Sequence, residues 1–310
     1  MSKDDDTQSS MRSNPQRDLI AVGIDGSPEA MAAARYAAHE AQLRRCDLLL
    51  VHAYPIPAMY GPFAETDIEY LREGGQDLLD QVIADLDTPP EVQLRTLLEA
   101  GAPIPLLTKV AATARLVVVG RRHAHWGERL LTGSVSSAIS SKSPCAVICV
   151  PEGWEPDLLT TRPVVVALDG ETAAHAPLRF AFEAAEAAQC ELLAIHADPF
   201  ESTKAQLAAQ QVNIAAVLAG WREEFPNVTV HTHAVMADAN DAVVAASVSA
   251  GLLVVGRPHA AGNAPLWIWS VARAALKQTR CPLAVVPQDL ADRREVPTHT
   301  VASDLLIPTY

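Results

Sequence analysis

Two stretches of the chain combine residue types at a spacing that chemistry could use. The first is Val22-Gly23-Ile24-Asp25-Gly26-Ser27. A carboxylate just past an apolar run can accept hydrogen bonds from a ribose or hold a metal ion, and Asp-Gly-Ser is equally an ordinary turn and helix cap. Both readings stay open at this point. The second stretch is Gly120-Arg121-Arg122-His123, then nine residues, then Gly133-Ser134-Val135-Ser136. Free backbone N–H groups at a helix start favour anions. Glycine lets the main chain approach phosphate oxygens closely. Ser134 and Ser136 add hydroxyl donors, and Arg121, Arg122 or Arg129 would add charge. The chemistry implied is phosphate binding. Neither a GxxxxGK[ST] loop nor a GxGxxG fingerprint occurs, which argues against a P-loop ATPase and a typical dinucleotide enzyme. Two histidine pairs, His123 with His125 and His231 with His233, show no third metal ligand and read as exposed edge residues. Ser134, His123 and Asp25 do not sit in a nucleophile elbow, so no catalytic residue is assigned.

These residues must be positioned by the elements around them, and the elements come twice. Residues 19–26 read LIAVGIDG and 163–170 read PVVVALDG, which places Asp25 and Asp169 at an offset of 144 (169 − 25). His52-Ala53 meets His196-Ala197 at that same offset. Later, LVVVGRRH at 116–123 matches LLVVGRPH at 252–259, at an offset of 136 (256 − 120). Within each copy, short Val/Ile/Leu runs alternate with Ala-rich helical stretches, the signature of βαβ units in a parallel sheet. Strands are expected near 19–24, 47–52, 92–98, 116–120 and 146–150, with helices near 28–44, 66–86, 103–113 and 134–141. The second copy's strands fall near 163–168, 191–196, 228–235, 252–256 and 283–286. The division is therefore a polar tail over 1–17 expected to be disordered, a first domain over 18–151, a linker over 152–162, a second domain over 163–288 and a tail over 289–310.

Bulk properties narrow the function. The formal net charge is −13, which opposes a nucleic-acid partner, because affinity for the phosphate backbone needs clustered Lys and Arg. The apolar runs are strand-length, too short for a membrane span. The amino-terminal tail lacks a signal peptide's apolar stretch, so a cytoplasmic protein is expected. Five cysteines, an odd number, read as small buried hydrophobes and not as a disulfide framework.

Taken together, these motifs resemble the universal stress protein family in its tandem two-domain form. The family's nucleotide-binding members carry V-x-x-D on the first strand and G-x2-G-x9-G-[ST] downstream. Val22-Gly23-Ile24-Asp25 matches the first motif, and Gly120, Gly133 and Ser134 match the second. Gly101-Ala102-Pro103 resembles the family's G-x-P turn, and Pro144-Cys145-Ala146-Val147 its final strand. The resemblance implies two open parallel five-stranded sheets of order 3-2-1-4-5 with helices on both faces. It implies ATP with Mg²⁺ as ligand, with adenine near Ala53, ribose near Asp25, and phosphates on Gly120, Gly133, Ser134, Val135 and Ser136. It also implies domain pairing through 146–150 and 283–286, and leaves a homodimer open.

The sequence departs from that pattern in both copies. His123 stands where the second motif glycine belongs, a cofactor-binding candidate whose side chain either crowds the phosphates or hydrogen-bonds them through its imidazole. In the second copy His259 does the same, Trp269 replaces the glycine before Ser270, Ala167 stands for Gly23 and Ala237 for Gly101. An indole at Trp269 would occupy a phosphate's space, so nucleotide is expected mainly in the first domain. The leading reading is an ATP-binding stress-response regulator without an assigned catalytic base. The alternative is an interaction or dimerisation module with both sites degenerate. Slow ATP hydrolysis ranks below both.

Overall fold

The chain is described by a computed structural model, whose described residues are 18–55, 64–121, 134–156, 161–168, 175–198, 202–257, 266–288 and 290. The first domain runs β1 (Leu19–Gly23), α1 (Pro28–Arg44), β2 (Asp47–Tyr54), α2 (Ala64–Asp85), β3 (Leu94–Ala100), α3 (Pro103–Ala111), β4 (Leu116–Arg121), α4 (Ser134–Lys142) and β5 (Ala146–Pro151). The second runs β6 (Val164–Leu168), α5 (His175–Ala188), β7 (Leu192–Asp198), α6 (Lys204–Glu224), β8 (Val230–Met236), α7 (Ala239–Ala246), β9 (Leu252–Arg257), α8 (Leu266–Gln278) and β10 (Leu283–Pro287).

Each half has the expected parallel order, and the two halves form one sheet: β3-β2-β1-β4-β5-β10-β9-β6-β7-β8. The seam is the single antiparallel pairing among the described residues, with Leu283 opposite Cys149, Ala284 opposite Ile148 and Val285 opposite Val147. Two strand edges that would otherwise face solvent are thereby consumed. The central strands are buried on both faces, which is why they read as unbroken apolar runs and not as alternation.

Strands β3 and β8 begin two residues later than the apolar pattern indicates. Val92 and Val228 are buried, but each closes a turn, donating its N–H to Pro89 O at 2.9 Å and to Phe225 O at 3.1 Å. On one face of the sheet a single apolar cluster runs from Ile20 and Leu48 in the first domain through Phe182 and Leu192 in the second. On the other face the core is divided into one cluster per domain. Trp154, in the segment between domains, belongs to the continuous cluster and packs edge-on against Tyr36, with ring centroids 4.9 Å apart.

Candidate functional site

At the carboxyl ends of β1 and β4 lies a cleft of about 370 Å³. This is where open parallel sheets place their ligands, because neighbouring crossovers leave the sheet on opposite faces there. Gly23, Asp25, Ala53, Gly120, Val135 and Ser136 all line it, so the fold brings together most of the residues singled out from the sequence. Gly133 and His123 lie outside the described residues. Ser134 opens α4, and its side chain is likewise outside them.

Each wall has a local cause. Ser27 caps α1, its Oγ accepting from Ala30 N at 3.2 Å, and Pro28 at the first turn loses no bond. Asp25 Oδ1 accepts from Ser27 N at 3.0 Å and from Ser27 Oγ. The turn-and-cap reading of Asp25-Gly26-Ser27 is thus realised, and the same geometry leaves the carboxylate exposed on the cleft wall. Gly26 has φ +80°, a conformation glycine adopts without a Cβ penalty. Val135 and Ser136 belong to the first turn of α4, where backbone N–H groups have no intrahelical acceptor.

The sequence motifs do not mark two charged or titratable residues that line the cleft, His52 and Glu29. His52 donates Nδ1–H to Ile24 O at 2.8 Å, tying the ends of β2 and β1, and His196 does the same to Leu168 O at 3.0 Å. The repeat alignment pairs these histidines, and that was the available signal. Glu29, in the first turn of α1, also lines the cleft; nothing in the sequence separates it from an ordinary first-turn acid favoured by the helix dipole.

Arg121 is the correction. It was expected to contribute charge to a phosphate, but its guanidinium leaves the cleft and is 2% exposed between the domains. Side chains alternate across a strand, so with Gly120 facing α1 the next residue must face away. Arg121 Nη1 donates to Leu276 O at 3.1 Å and Thr279 Oγ1 at 2.9 Å, and Nη2 to Thr279 O at 2.6 Å. Burial without a carboxylate pushes its pKa below the usual arginine value.

Gly120 is required for a reason beyond phosphate approach. A Cβ there would lie 2.5 Å from Glu29 C and 2.7 Å from Ala30 N, both backbone atoms of α1. At Gly23 a Cβ would make ordinary van der Waals contacts, with Leu107 Cδ1 at 3.4 Å and Val119 Cγ1 at 3.5 Å, so alanine at the equivalent Ala167 is sterically unremarkable. Gly101 has φ +136°, whereas Ala237 is not among the positive-φ residues. Asp238 replaces the glycine turn by capping α7, accepting from Asn240 N at 2.8 Å. Asp169 and His259 lie outside the described residues, as does the Trp269 side chain, so the indole plug stands as a sequence expectation. Cys46, Cys145, Cys149 and Cys281 are buried thiols, and burial pushes Cys46 to about 11 and Cys281 to about 12. Such thiols are inert at neutral pH.

The architecture is that of a tandem α/β protein with a cleft at the switch point of its first domain. The model of the universal stress protein family matches residues 17–151 and again 160–287, and the chain belongs to that family. Universal stress protein Rv2623 of Mycobacterium tuberculosis is 32% identical over 293 residues, covering 87% of this chain and 97% of the relative. Universal stress protein Rv2005c of the same organism is 29% identical over 289 residues, with 87% and 97% covered. Among solved structures, a universal stress protein from Archaeoglobus fulgidus superposes with TM-score 0.71 at 18% identity, covering 88% of this chain and 99% of that one. A further likeness, to a Pseudomonas aeruginosa protein of the same class, has TM-score 0.56 at 16% identity, with 89% and 95% covered. At these identities the structural likeness concerns the fold. Among the described residues, no helix is long and apolar enough to cross a membrane.

Proposed function

We propose that the first domain binds an adenine nucleotide, ATP with Mg²⁺, and that the protein acts as a nucleotide-responsive regulator in the cytoplasm. The observation that carries this reading is the cleft itself. Gly23, Asp25, Ala53, Gly120, Val135 and Ser136 converge there from β1, β2, β4 and α4, at the position where such sheets hold ligands. Ala53 offers a small apolar floor for a base, Asp25 a carboxylate for ribose hydroxyls, and the first turn of α4 backbone donors for phosphate.

The charge balance of the cleft supports the metal. The described lining includes Asp25 and Glu29 but neither lysine nor arginine. Mg²⁺ is commonly held by one or two carboxylates together with substrate phosphates, and Asp25 and Glu29 are suited to that part. It would supply neutralisation of the triphosphate. No described residue is placed as a general base, so binding and not hydrolysis is the proposed activity.

The withdrawal of Arg121 favours one competing reading, an interaction module without nucleotide. Purification separates the two. Mass spectrometry of the released ligand and calorimetric titration with ATP and Mg²⁺ are expected to show nucleotide, and Ala53→Trp is expected to abolish binding by filling the base end. A folded protein that neither carries nor takes up nucleotide would establish the interaction module instead.

A further inference from the structure

The contacts of Arg121 have a counterpart in the other direction. Arg257, the last residue of β9, donates Nη1 to Ser140 O at 3.1 Å and Nη2 to Ser143 O at 2.6 Å. Arg121 makes the equivalent contacts to Leu276 O at 3.1 Å and Thr279 O at 2.6 Å. Donors and acceptors are all related by the repeat offset of 136 (257 − 121, 276 − 140, 279 − 143). Each domain therefore sends an arginine from the end of its fourth strand across the seam, onto the carboxyl end of the other domain's last helix.

Sequence explains why α4 needs this donor. A helical carbonyl is normally satisfied by the N–H four residues on. For Ser140 that residue is Pro144, which has no N–H. Arg257 supplies the missing donor, and its positive charge lies at the helix end where the macrodipole is negative. The helix spans only nine residues, about 13 Å, and its other end presents Val135 and Ser136 to the first-domain cleft. Its carboxyl end is thus held by the second domain while its amino end forms a wall of the first domain's site.

We infer that Arg257 is a positioning residue for the first-domain cleft: the second domain completes that site by clamping α4 from behind. This inference rests on the nucleotide reading above for its ligand. It assigns the second domain a role that does not require it to bind anything.

The test uses the full chain, with ATP and Mg²⁺ as probe. Arg257→Met is expected to weaken ATP binding about tenfold, the scale of losing a charge-assisted bond to a helix end. Arg257→Lys keeps the charge and is expected to recover most of that affinity. Glu183→Gln loosens a different interdomain contact, where Glu183 accepts from Arg115 at 2.8 Å. It is expected to lower the melting temperature and keep the Kd within about twofold, because it does not touch α4. Hydrogen exchange at residues 135–143 is expected to quicken in Arg257→Met and not in Glu183→Gln. Folded Arg257→Met with unchanged Kd would overturn the inference. If Arg257→Met does not fold, Arg257→Gln, shorter and uncharged, decides: weakened affinity with quickened exchange at 135–143 sustains the inference, and full affinity with unaltered exchange there overturns it. If wild type binds no ATP, the nucleotide reading fails by itself, and exchange decides the clamp: unaltered rates at 135–143 in Arg257→Met overturn it.

Discussion

At the scale of single residues, the two motif glycines at the strand ends are not equivalent. Gly120 lies under the first turn of α1, and a methyl group there would stand 2.5 Å from Glu29 C and 2.7 Å from Glu29 O. Backbone cannot swing aside as a side chain can, so relief requires α1 to move off the sheet. At Gly256 the nearest atom is Pro177 Cγ at 3.2 Å, a side-chain contact that is tight but needs far less relief than the backbone clash at Gly120. Gly120→Ala is therefore expected to cost about 1–3 kcal/mol in urea denaturation, and Gly256→Ala clearly less. Equal costs would show that α1 already rides loosely on β4. The motif glycine of the first copy is accordingly fixed by packing whether or not a phosphate approaches it.

At the scale of elements, α1 carries an unusual polar load on its buried side. Tyr36 donates to Glu40 Oε1 at 3.0 Å, and Arg44 Nε reaches Glu40 Oε2 at 2.6 Å. Burial first, and then the Glu40 charge, hold the Tyr36 phenol well above its ordinary value. One turn along, His39 faces Trp154, with ring centroids 6.2 Å apart, and its buried Nδ1 has no hydrogen-bond partner. Burial lowers the pKa of His39. In acid the unfolded chain takes up this proton before the folded one does, so stability rises with pH and is lost as pH falls below the ordinary histidine value of about 6.5. Wild type is expected to lose more stability than His39→Gln between about pH 7.5 and pH 5.5. Parallel losses in denaturant titrations at the two pH values would remove His39 as the cause.

At the scale of the molecule, the two domains share more than a strand pairing. Glu183 on α5 accepts from Arg115 at 2.8 Å and lies 3.7 Å from Arg44, while Arg44 also stacks on Phe180 at 5.1 Å. These contacts have no mirror image. The position of Glu183 corresponds to His39 in the first copy, and that of Arg44 to Ala188 in the second. A symmetric frame of strands and arginines is thus keyed by asymmetric charges, which favours pairing unlike domains within one chain. With one apolar cluster spanning both halves, thermal unfolding is expected as a single calorimetric transition whose van't Hoff and calorimetric enthalpies agree. Glu183→Arg sets three arginines together and is expected to cost about 1–3 kcal/mol, a buried-pair penalty reduced by partial exposure. Two resolved transitions in the wild type would show that the seam does not couple the halves.

Much of this was legible in the chain alone. The repeat, the alternation of strands and helices, and the motif residues Asp25, Gly120 and Ser136 follow from local periodicity and short motifs, because strand burial and helix capping leave marks within a few residues; the strand order within each copy and Ala53 as a cleft residue came with the family resemblance. Strand starts at β3 and β8 slipped because Val92 and Val228 are buried in turns, and an apolar pattern reports burial and not hydrogen-bonding. The roles of Arg121 and Arg257 were not legible. A motif reading assigns an arginine beside a phosphate loop to the phosphate, whereas its direction is set by strand alternation, and its acceptors lie 158 residues away for the Arg121–Thr279 pair. Sequence by itself determined which elements form and which residues gather at the strand ends. Only the tertiary structure decided which face each side chain takes across the seam, because the two domains satisfy each other's helix ends through contacts that no local pattern encodes.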